Sequence, residues 1–263
     1  MRFCVLGSGS RGNATYLESG GTAVLIDAGM SGRELQKRLA AIDVELSALH
    51  AILVTHEHND HVQSVGVLSR RAKIPVYANP ATFSAASKTV NRLISYNEFE
   101  TGTPFHLRNL EIHPFSISHD TADPVGFRIS DGSVSLGYCT DTGRVSRLML
   151  QRLASCQALV LESNHDIAML QNGMYPPYLK QRIRSSQGHL DNMEAAAFLQ
   201  ELVHEKLQHV VLAHLSEENN HPEIAFNAAV QALHNNPHCR ERSVGISVAS
   251  QGCIGEFVSL SGK

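Results

Sequence analysis

Short apolar runs alternate with helical patterns and glycine turns along the whole chain. β-Branched and apolar runs predict strands at residues 2–6, 14–18, 22–26, 51–54, 75–78, 124–130, 133–138, 158–161 and 208–213. Helical spacing predicts a helix capped by Ser31, with Leu35 and Leu39 on one face, and further helices over residues 62–72, 148–153, 175–185, 192–202 and 222–233. The tail, residues 243–258, is expected to supply closing strands.

One order of elements occurs twice. A hairpin around Gly20-Gly21 ends at Asp27, and a second hairpin around Asp131-Gly132 is followed by Asp141; a helix, a buried strand and a polar cluster come after each. Short buried strands followed by helices place the helices outside the sheets. The pattern therefore predicts an α/β protein with two duplicated halves face to face, a four-layer αβ/βα sandwich. No linker rich in proline, serine or charge divides it, so we expect one domain over residues 1–263.

Net charge, apolar runs and cysteine spacing limit the partners and the compartment that we expect for this chain. The net charge is -3, so any contact with nucleic acid must come from a local patch. No uncharged apolar run approaches the ~20 residues that span a bilayer, so we expect no membrane contact. An odd number of cysteines without C-x-x-C spacing predicts reduced, buried thiols and a cytoplasmic protein; these are Cys4, Cys139, Cys156, Cys239 and Cys253.

The strongest chemical signal is Thr55-His56-Glu57-His58-Asn59-Asp60-His61, directly after a buried strand. Residues two apart in an extended segment point the same way, so His56 and His58 are expected to share one metal ion. Asp60 and His61 lie further along and are expected to face a second ion. Imidazole and carboxylate ligands suit zinc, iron or manganese. A histidine-rich surface loop is the alternative, and the buried strand before the motif disfavours it.

These four side chains cannot complete two coordination shells, so further ligands must come from other strand ends. His119 follows an alternating strand at residues 115–118, Asp141 follows the second hairpin, and His214 follows the strand at 208–213. Functional sites of layered α/β proteins lie where strands pass into loops. We therefore expect His119, Asp141 and His214 to complete a site for two divalent ions.

The H-x-H-x-D-H motif resembles the metallo-β-lactamase-fold hydrolases, and the resemblance covers nearly the whole chain. It implies the αβ/βα sandwich and three groups of ligands: His56, His58 and His119 for one metal; Asp60, His61 and His214 for the other; and Asp141 bridging both. Redox relatives with two irons carry a carboxylate where this chain has His58, which favours hydrolysis. True β-lactamases usually have cysteine in place of Asp141, so the resemblance points to the phosphodiesterase, nuclease and thioesterase branches.

A closer resemblance is to the YycJ/WalJ-type branch, regarded as DNA exonucleases or related phosphodiesterases. The matching segments are residues 7–13, 162–166, 188–190 and 214–216, with Asn219 and Asn220. Asp191 departs from that branch, where serine is expected. His189 matches a histidine of tRNA-processing relatives that protonates the leaving group, and its alternative role is to orient a ligand. By the same resemblance Asp27 is expected to hold a ligand histidine.

The predicted function is a two-metal phosphodiesterase acting on nucleic acid, as a DNA exonuclease. Asp60 or Asp141 would orient or deprotonate the attacking water, and His189 would protonate the leaving alkoxide. Substrate contacts are predicted from the glycine-rich loop, the matching segments and a basic stretch beside Tyr175 and Tyr178; the residues are Ser8, Asn13, Asn164, His165, Arg182 and Arg184. The alternatives are a phosphodiesterase for small cyclic or nucleotide substrates, a thioesterase of glyoxalase II type, and a metal-binding scaffold without turnover, which the complete ligand set disfavours.

Overall fold

The structure is a computed structural model that describes residues 1–234, 236 and 244–262, and it contains two seven-stranded sheets. The first sheet contains β1 (Arg2–Gly7), β2 (Ala14–Ser19), β3 (Thr22–Ile26), β4 (Ala51–Leu53), β5 (Val76–Ala78), β6 (Tyr96–Glu98) and β14 (Val258–Ser259). The second contains β7 (Phe105–Leu107), β8 (Leu110–Ser116), β9 (Val125–Ser130), β10 (Ser135–Cys139), β11 (Ala158–Glu162), β12 (His209–Ala213) and β13 (Gly245–Val248). Their strand orders are β14-β1-β2-β3-β4-β5-β6 and β13-β12-β11-β10-β9-β8-β7.

The helices lie on the outer face of each sheet. They are α1 (Gly32–Ala41), α2 (Asn59–Val62), α3 (Val65–Ala72), α4 (Pro80–Val90), α5 (Arg147–Leu153), α6 (Ile167–Asn172), α7 (Pro177–Ile183), α8 (Asn192–Leu202) and α9 (Pro222–His234). Side chains of both sheets form one buried core, in which Ile26 and Leu53 face Phe127 and Leu136. Separate cores lie under the helices of each half. The predicted four-layer sandwich is therefore confirmed.

The two halves repeat one arrangement. The β2–β3 hairpin is followed by β4, which runs parallel to β3, and the β9–β10 hairpin is followed by β11, which runs parallel to β10. Asp27 and Asp141 come after the second strand of each hairpin, with φ angles of 60° and 59°. Aspartate tolerates this left-handed conformation better than most residues. The carboxyl ends of β3, β4, β10, β11 and β12 consequently open toward one edge of the sandwich.

Local signals explain most helix boundaries. The Ser31 side chain accepts a hydrogen bond from the backbone N–H of Glu34 (3.2 Å), and Pro222 is the first residue of α9, as the sequence predicts. Asp191 caps α8 and accepts from the N–H of Glu194 at 2.8 Å in a capping box. Serine, which the resemblance leads us to expect at this position, would serve about equally well as such a cap.

Several expectations need correction. In place of the single helix expected over 62–72 there are two. The short helix α2 begins earlier, at Asn59, and carries expected ligands, and α3 begins at Val65. The helix expected over 175–185 is shorter because Pro176 and Pro177 set its start. In the tail, β13 and β14 are strands and residues 249–257 are not; Cys239 and Ser243 lie outside the described residues.

The sequence also predicts buried, reduced thiols and no membrane-spanning segment. Cys4, Cys139 and Cys156 are buried free thiols, whereas Cys253 is exposed, contrary to expectation. Among the described residues, every helix is too short or too polar to cross a bilayer.

Candidate metal centre

Three histidines meet where β4 and β8 end. His56 and His58 follow β4, His119 follows β8, and one ligand atom of each lies within 4.8 Å of the others. His58 Nδ1 is 3.2 Å from His119 Nε2, and the His56 ring centroid is 4.9 Å from that of His58. The structure thus brings together the first set of expected ligands.

The second expected set also converges. Asp60 and His61 lie on the single turn α2, and His214 follows β12 with a φ of 56°. Asp60 Oδ2 is 3.6 Å from Nε2 of both His61 and His214. The ligand atoms of these three residues lie within 4.8 Å of one another.

Asp141 lies between the two sets. Its Oδ2 is 3.3 Å from His61 Nε2, and its Oδ1 is 3.3 Å from His214 Nε2 and 3.9 Å from His119 Nε2. The side chain is buried, so few waters compete for its oxygens. One carboxylate therefore reaches both groups, the arrangement needed for a residue that bridges two ions.

Asp27 fixes the orientation of His61. Its Oδ2 accepts a hydrogen bond from His61 Nδ1 at 2.8 Å, and its two oxygens accept from the Thr55 N–H and hydroxyl, each at 2.9 Å. With Nδ1 engaged, Nε2 of His61 is the ring nitrogen that faces the cluster. The position of Asp27 matches the role that the family resemblance implies.

Glu162 orients two further histidines, His189 and His214. The sequence analysis did not assign it a role. Its Oε1 accepts from His189 Nδ1 at 2.8 Å and from His214 Nδ1 at 3.0 Å, while Oε2 accepts from the N–H groups of Thr142 and Leu190. The available signal was a charged residue closing the buried strand β11. A carboxylate there must be paired, since an isolated buried charge is very costly.

His189 lies beside the cluster rather than within the two expected ligand sets. Its ring centroid is 5.1 Å from those of His119 and His214, and its Nδ1 is 4.0 Å from Asp141 Oδ1. Because Glu162 engages Nδ1, Nε2 is the ring atom left to exchange a proton.

The chemistry of the cluster fits a metal. His56 Nε2, Asp141 Oδ2 and His214 Nε2 are buried and have no hydrogen-bond partner. Buried polar atoms are almost always satisfied, so three such atoms in one place indicate a missing ligand. Imidazole nitrogen and carboxylate oxygen are ligands that divalent transition metals accept, so the site binds a divalent metal.

Charge coupling within the cluster is strong. Burial lowers the pKa of His56 well below its usual value. Burial also opposes the charged forms of His61 and His214, but the surrounding carboxylates together outweigh it. Asp141, Asp27 and Asp60 raise the pKa of His61 well above its usual value, and Asp141, Asp60 and Glu162 raise that of His214 to about 10. Burial opposes the ionised form of Asp141 too, yet His214 and His61 hold its pKa well below the usual value. Without metal, protons on His61 and His214 thus balance carboxylate charge that a bound cation would otherwise balance.

The glycine-rich loop braces the second ligand set. Ser8 Oγ donates to Asn13 Oδ1 (3.1 Å) and accepts from the His214 N–H (2.8 Å), and Asn13 Nδ2 is 3.0 Å from His61 Nε2. The N–H groups of Gly9 and Gly12 donate within the loop, to the Asn13 side chain and to the Gly9 carbonyl. Substrate contact by the Ser8 and Asn13 side chains stays a prediction.

The other expected substrate residues differ in exposure. Asn164 is buried and donates to the His214 carbonyl (2.8 Å), and His165 is buried with Nδ1 unpartnered. Arg182 and Arg184 are exposed, and Arg182 forms an ion pair with Asp120. Whether these residues contact a substrate stays a prediction.

Comparison with known proteins agrees with this geometry. The model of the β-lactamase superfamily domain matches residues 22–215. Exodeoxyribonuclease YycJ of Bacillus anthracis is 36% identical over 235 residues, covering 89% of each chain. Exodeoxyribonuclease WalJ of Streptococcus pneumoniae is 37% identical over 237 residues, covering 89% of this chain and 88% of WalJ.

Among solved structures, the metallo-β-lactamase-fold protein YhfI of Bacillus subtilis superposes with a TM-score of 0.75 at 19% identity, over 98% of this chain and 99% of YhfI. That likeness supports the fold, and the sequence matches support the branch. The chain belongs to the β-lactamase superfamily and, within it, to the metal-dependent hydrolases that include YycJ and WalJ.

Proposed function

We propose that this protein is a two-metal phosphodiesterase that degrades DNA as an exonuclease. The observation that carries the proposal is the placement of Asp141 against both ligand sets, with its oxygens 3.3 Å from His61 Nε2 and from His214 Nε2. The names of the YycJ and WalJ relatives support DNA as the substrate. Buried site geometry and related sequences thus point to the same reaction.

Each ion would have its own ligands. His56, His58 and His119 would hold one; Asp60, His61 and His214 would hold the other; and Asp141 would contact both. Zinc, manganese and iron suit such a nitrogen and oxygen set. Bound divalent ions supply an acidified water and neutralise the charge on the phosphate oxygens.

Protein groups would control the protons of the reaction. Asp60, partly exposed at the rim of the site, would orient the attacking water and accept its proton. His189 would donate a proton from Nε2 to the leaving alkoxide. Its Nδ1 is held 2.8 Å from Glu162 Oε1, so this carboxylate orients the ring and leaves Nε2 as the donating atom.

Two further statements belong to the same proposal. We place the enzyme in the cytoplasm because Cys4, Cys139 and Cys156 are free thiols. We also regard residues 1–263 as one domain, because side chains from both sheets share a single buried core.

The test is a substrate panel with several divalent ions. Bis-p-nitrophenyl phosphate reports phosphodiester cleavage, and end-labelled duplex DNA, single-stranded DNA and RNA report substrate class and the stepwise release expected of an exonuclease. We expect mononucleotides to be released from DNA. The His58→Ala variant should lose metal and turnover together.

His209→Ala is a matched control, because this histidine bonds Ser247 Oγ at 2.9 Å on a strand outside the cluster and should retain metal and rate. Cleavage of S-lactoylglutathione with no phosphodiester cleavage would replace the proposal with a thioesterase. Cleavage of cyclic nucleotides alone would replace it with a small-molecule phosphodiesterase.

A further inference from the structure

The ion pair between Arg182 and Asp120 lies beside the first ligand set. Arg182 Nε donates to Asp120 Oδ2 at 2.6 Å and Arg182 Nη2 donates to Asp120 Oδ1 at 3.1 Å, a two-point contact. Asp120 Oδ1 in turn lies 3.6 Å from His119 Nε2 and 3.8 Å from His58 Nε2. A single carboxylate therefore separates a guanidinium group from two expected metal ligands.

Stability does not explain this pair. Both side chains are partly exposed, Arg182 by 49% and Asp120 by 33%, and such pairs contribute only about 0–1 kcal/mol to folding. The guanidinium has five N–H donors, of which Asp120 engages two. Donors of a fixed, half-exposed arginine thus remain available at the entrance to the site.

The backbone that carries Arg182 is tied to the proposed proton donor. The carbonyl of Ile183 accepts from the His189 N–H at 2.9 Å, and a Cβ on Gly188 would lie 2.3 Å from the Arg182 carbonyl oxygen. This close approach requires glycine at position 188. The last turn of α7 and the His189 loop therefore keep a constant spacing.

The neighbouring bases lack this link to the site. The Lys180 ammonium group donates to the Gln171 carbonyl of α6 at 2.8 Å. Arg184 follows the helix and is exposed. Of the three basic residues in this stretch, Arg182 is the one whose side chain is connected to the ligand histidines.

We propose that Arg182 binds the intact phosphate next to the scissile one, and that Asp120 is a positioning residue that holds the guanidinium in place. The inference rests on the proposed nucleic-acid phosphodiesterase function. A planar guanidinium matches a phosphate with two parallel hydrogen bonds, which a lysine cannot reproduce. A substrate with a single phosphate cannot use Arg182, so the contact selects polynucleotides.

The experiment compares bis-p-nitrophenyl phosphate with a single-stranded deoxyoligonucleotide. Arg182→Ala should raise KM for the oligonucleotide about tenfold, equivalent to about 1.4 kcal/mol, with little change in kcat, since it removes a charge-assisted contact to a phosphate that does not react. The slope of log KM against log salt should fall by about 0.7, the value for one phosphate contact on a single strand. Turnover of bis-p-nitrophenyl phosphate should stay at the wild-type rate.

Asp120→Asn should raise KM for the oligonucleotide by a smaller factor, about threefold, because the guanidinium loses its orientation but keeps its charge. It should add nothing to Arg182→Ala in the double variant. Arg182→Lys should recover part of the affinity but not all of it. The Glu111–Arg128 pair, 3.5 Å apart on the second sheet, supplies matched controls: Glu111→Gln and Arg128→Ala should change neither substrate's KM.

Two results would overturn the inference while leaving the proposed function intact. One is an Arg182→Ala variant whose KM and salt slope equal those of the wild type, measured on DNA that the wild type cleaves. The other is loss of metal and of bis-p-nitrophenyl phosphate turnover in Asp120→Asn, both alone and combined with Arg182→Ala. Asp120 would then act by holding the ligand His58 and not by positioning Arg182. If the wild type cleaves no polynucleotide, the proposed function fails first and the inference with it.

Discussion

Glu162→Gln tests how the protein holds its ligand histidines. The two carboxylate oxygens accept four hydrogen bonds, from His189 Nδ1 (2.8 Å), His214 Nδ1 (3.0 Å) and two backbone N–H groups (3.0 and 3.2 Å). The pKa of Glu162 is lowered to about 2, because His189 and His214 outweigh the effect of burial. The group is therefore ionised at every working pH, and glutamine removes a charge that is always present.

The size of the loss in metal affinity depends on whether the new NH2 group in Glu162→Gln faces the two histidines or the two backbone N–H groups. Backbone N–H groups cannot change their protons, whereas imidazole can move its proton from one nitrogen to the other, so the amide will face the histidines. His214 then carries its proton on Nε2, the atom that would bind metal. Loss of an outer partner of this kind costs about 10- to 100-fold in metal affinity. His189 loses the carboxylate that orients its ring, so kcat for DNA should also fall at saturating metal.

Chelator competition measures the affinity, and turnover of a single-stranded deoxyoligonucleotide at saturating metal isolates the His189 effect, because its leaving alkoxide needs a proton whereas p-nitrophenolate does not. Asp191→Asn is the matched control: it also turns a carboxylate into an amide, but at the N-cap of α8, where asparagine works equally well. It should keep metal affinity and rate. Wild-type metal affinity in Glu162→Gln would refute the reasoning that this carboxylate sets the His214 tautomer.

Three further predictions follow from the site. Asp27→Asn keeps the left-handed backbone but removes the charge behind a ligand histidine, so metal affinity should fall about 10- to 100-fold in a chelator titration; an unchanged value would contradict the role given to Asp27. In Gly29→Ala, the new Cβ would lie 1.6 Å from a backbone oxygen of α2, so metal binding should be lost, whereas Gly252→Ala has open space and should match the wild type. The raised pKa of His214, about 10 against its usual 6.5, stabilises the metal-free fold fully below pH 6.5 and less as pH rises toward 10. Metal-free melting temperatures should therefore fall over that range while metal affinity rises, and an affinity independent of pH would be inconsistent with the displacement of a proton by the metal.

Strand-end reasoning located the expected ligands because the sandwich opens the carboxyl ends of its strands at one edge. His56 and His58 are neighbours in sequence, so a local motif places them. His119 and His214 are remote in sequence and were located only because each follows an apolar strand. Both follow strands of the second sheet, as Asp141 does, and their meeting with the motif that follows β4 of the first sheet depends on the packing of the two sheets, which no local pattern describes.

What the sequence analysis left out depends on pairing in three dimensions. Glu162 ends a strand as a surface glutamate would, and only the fold shows that four donors surround it. Asp120 follows His119 directly, but its link to Arg182 joins the loop after β8 to helix α7, which is remote in sequence. α4 was also not predicted, although Asn79 and Pro80 are a cap and a first residue, because its alanines, serines and threonines give only a weak apolar stripe. Substrate contacts remain predictions because they depend on a molecule whose shape the chain does not encode.

The most direct test of the central claim is anomalous diffraction from metal-loaded crystals, with data collected at the absorption edge of the bound metal. The account predicts two peaks roughly 3.5–4 Å apart. One should lie against His56, His58 and His119, the other should lie against His61 and His214, and Asp141 should contact both. A single peak that Asp141 does not touch, or none under metal-replete conditions, would contradict the two-metal centre.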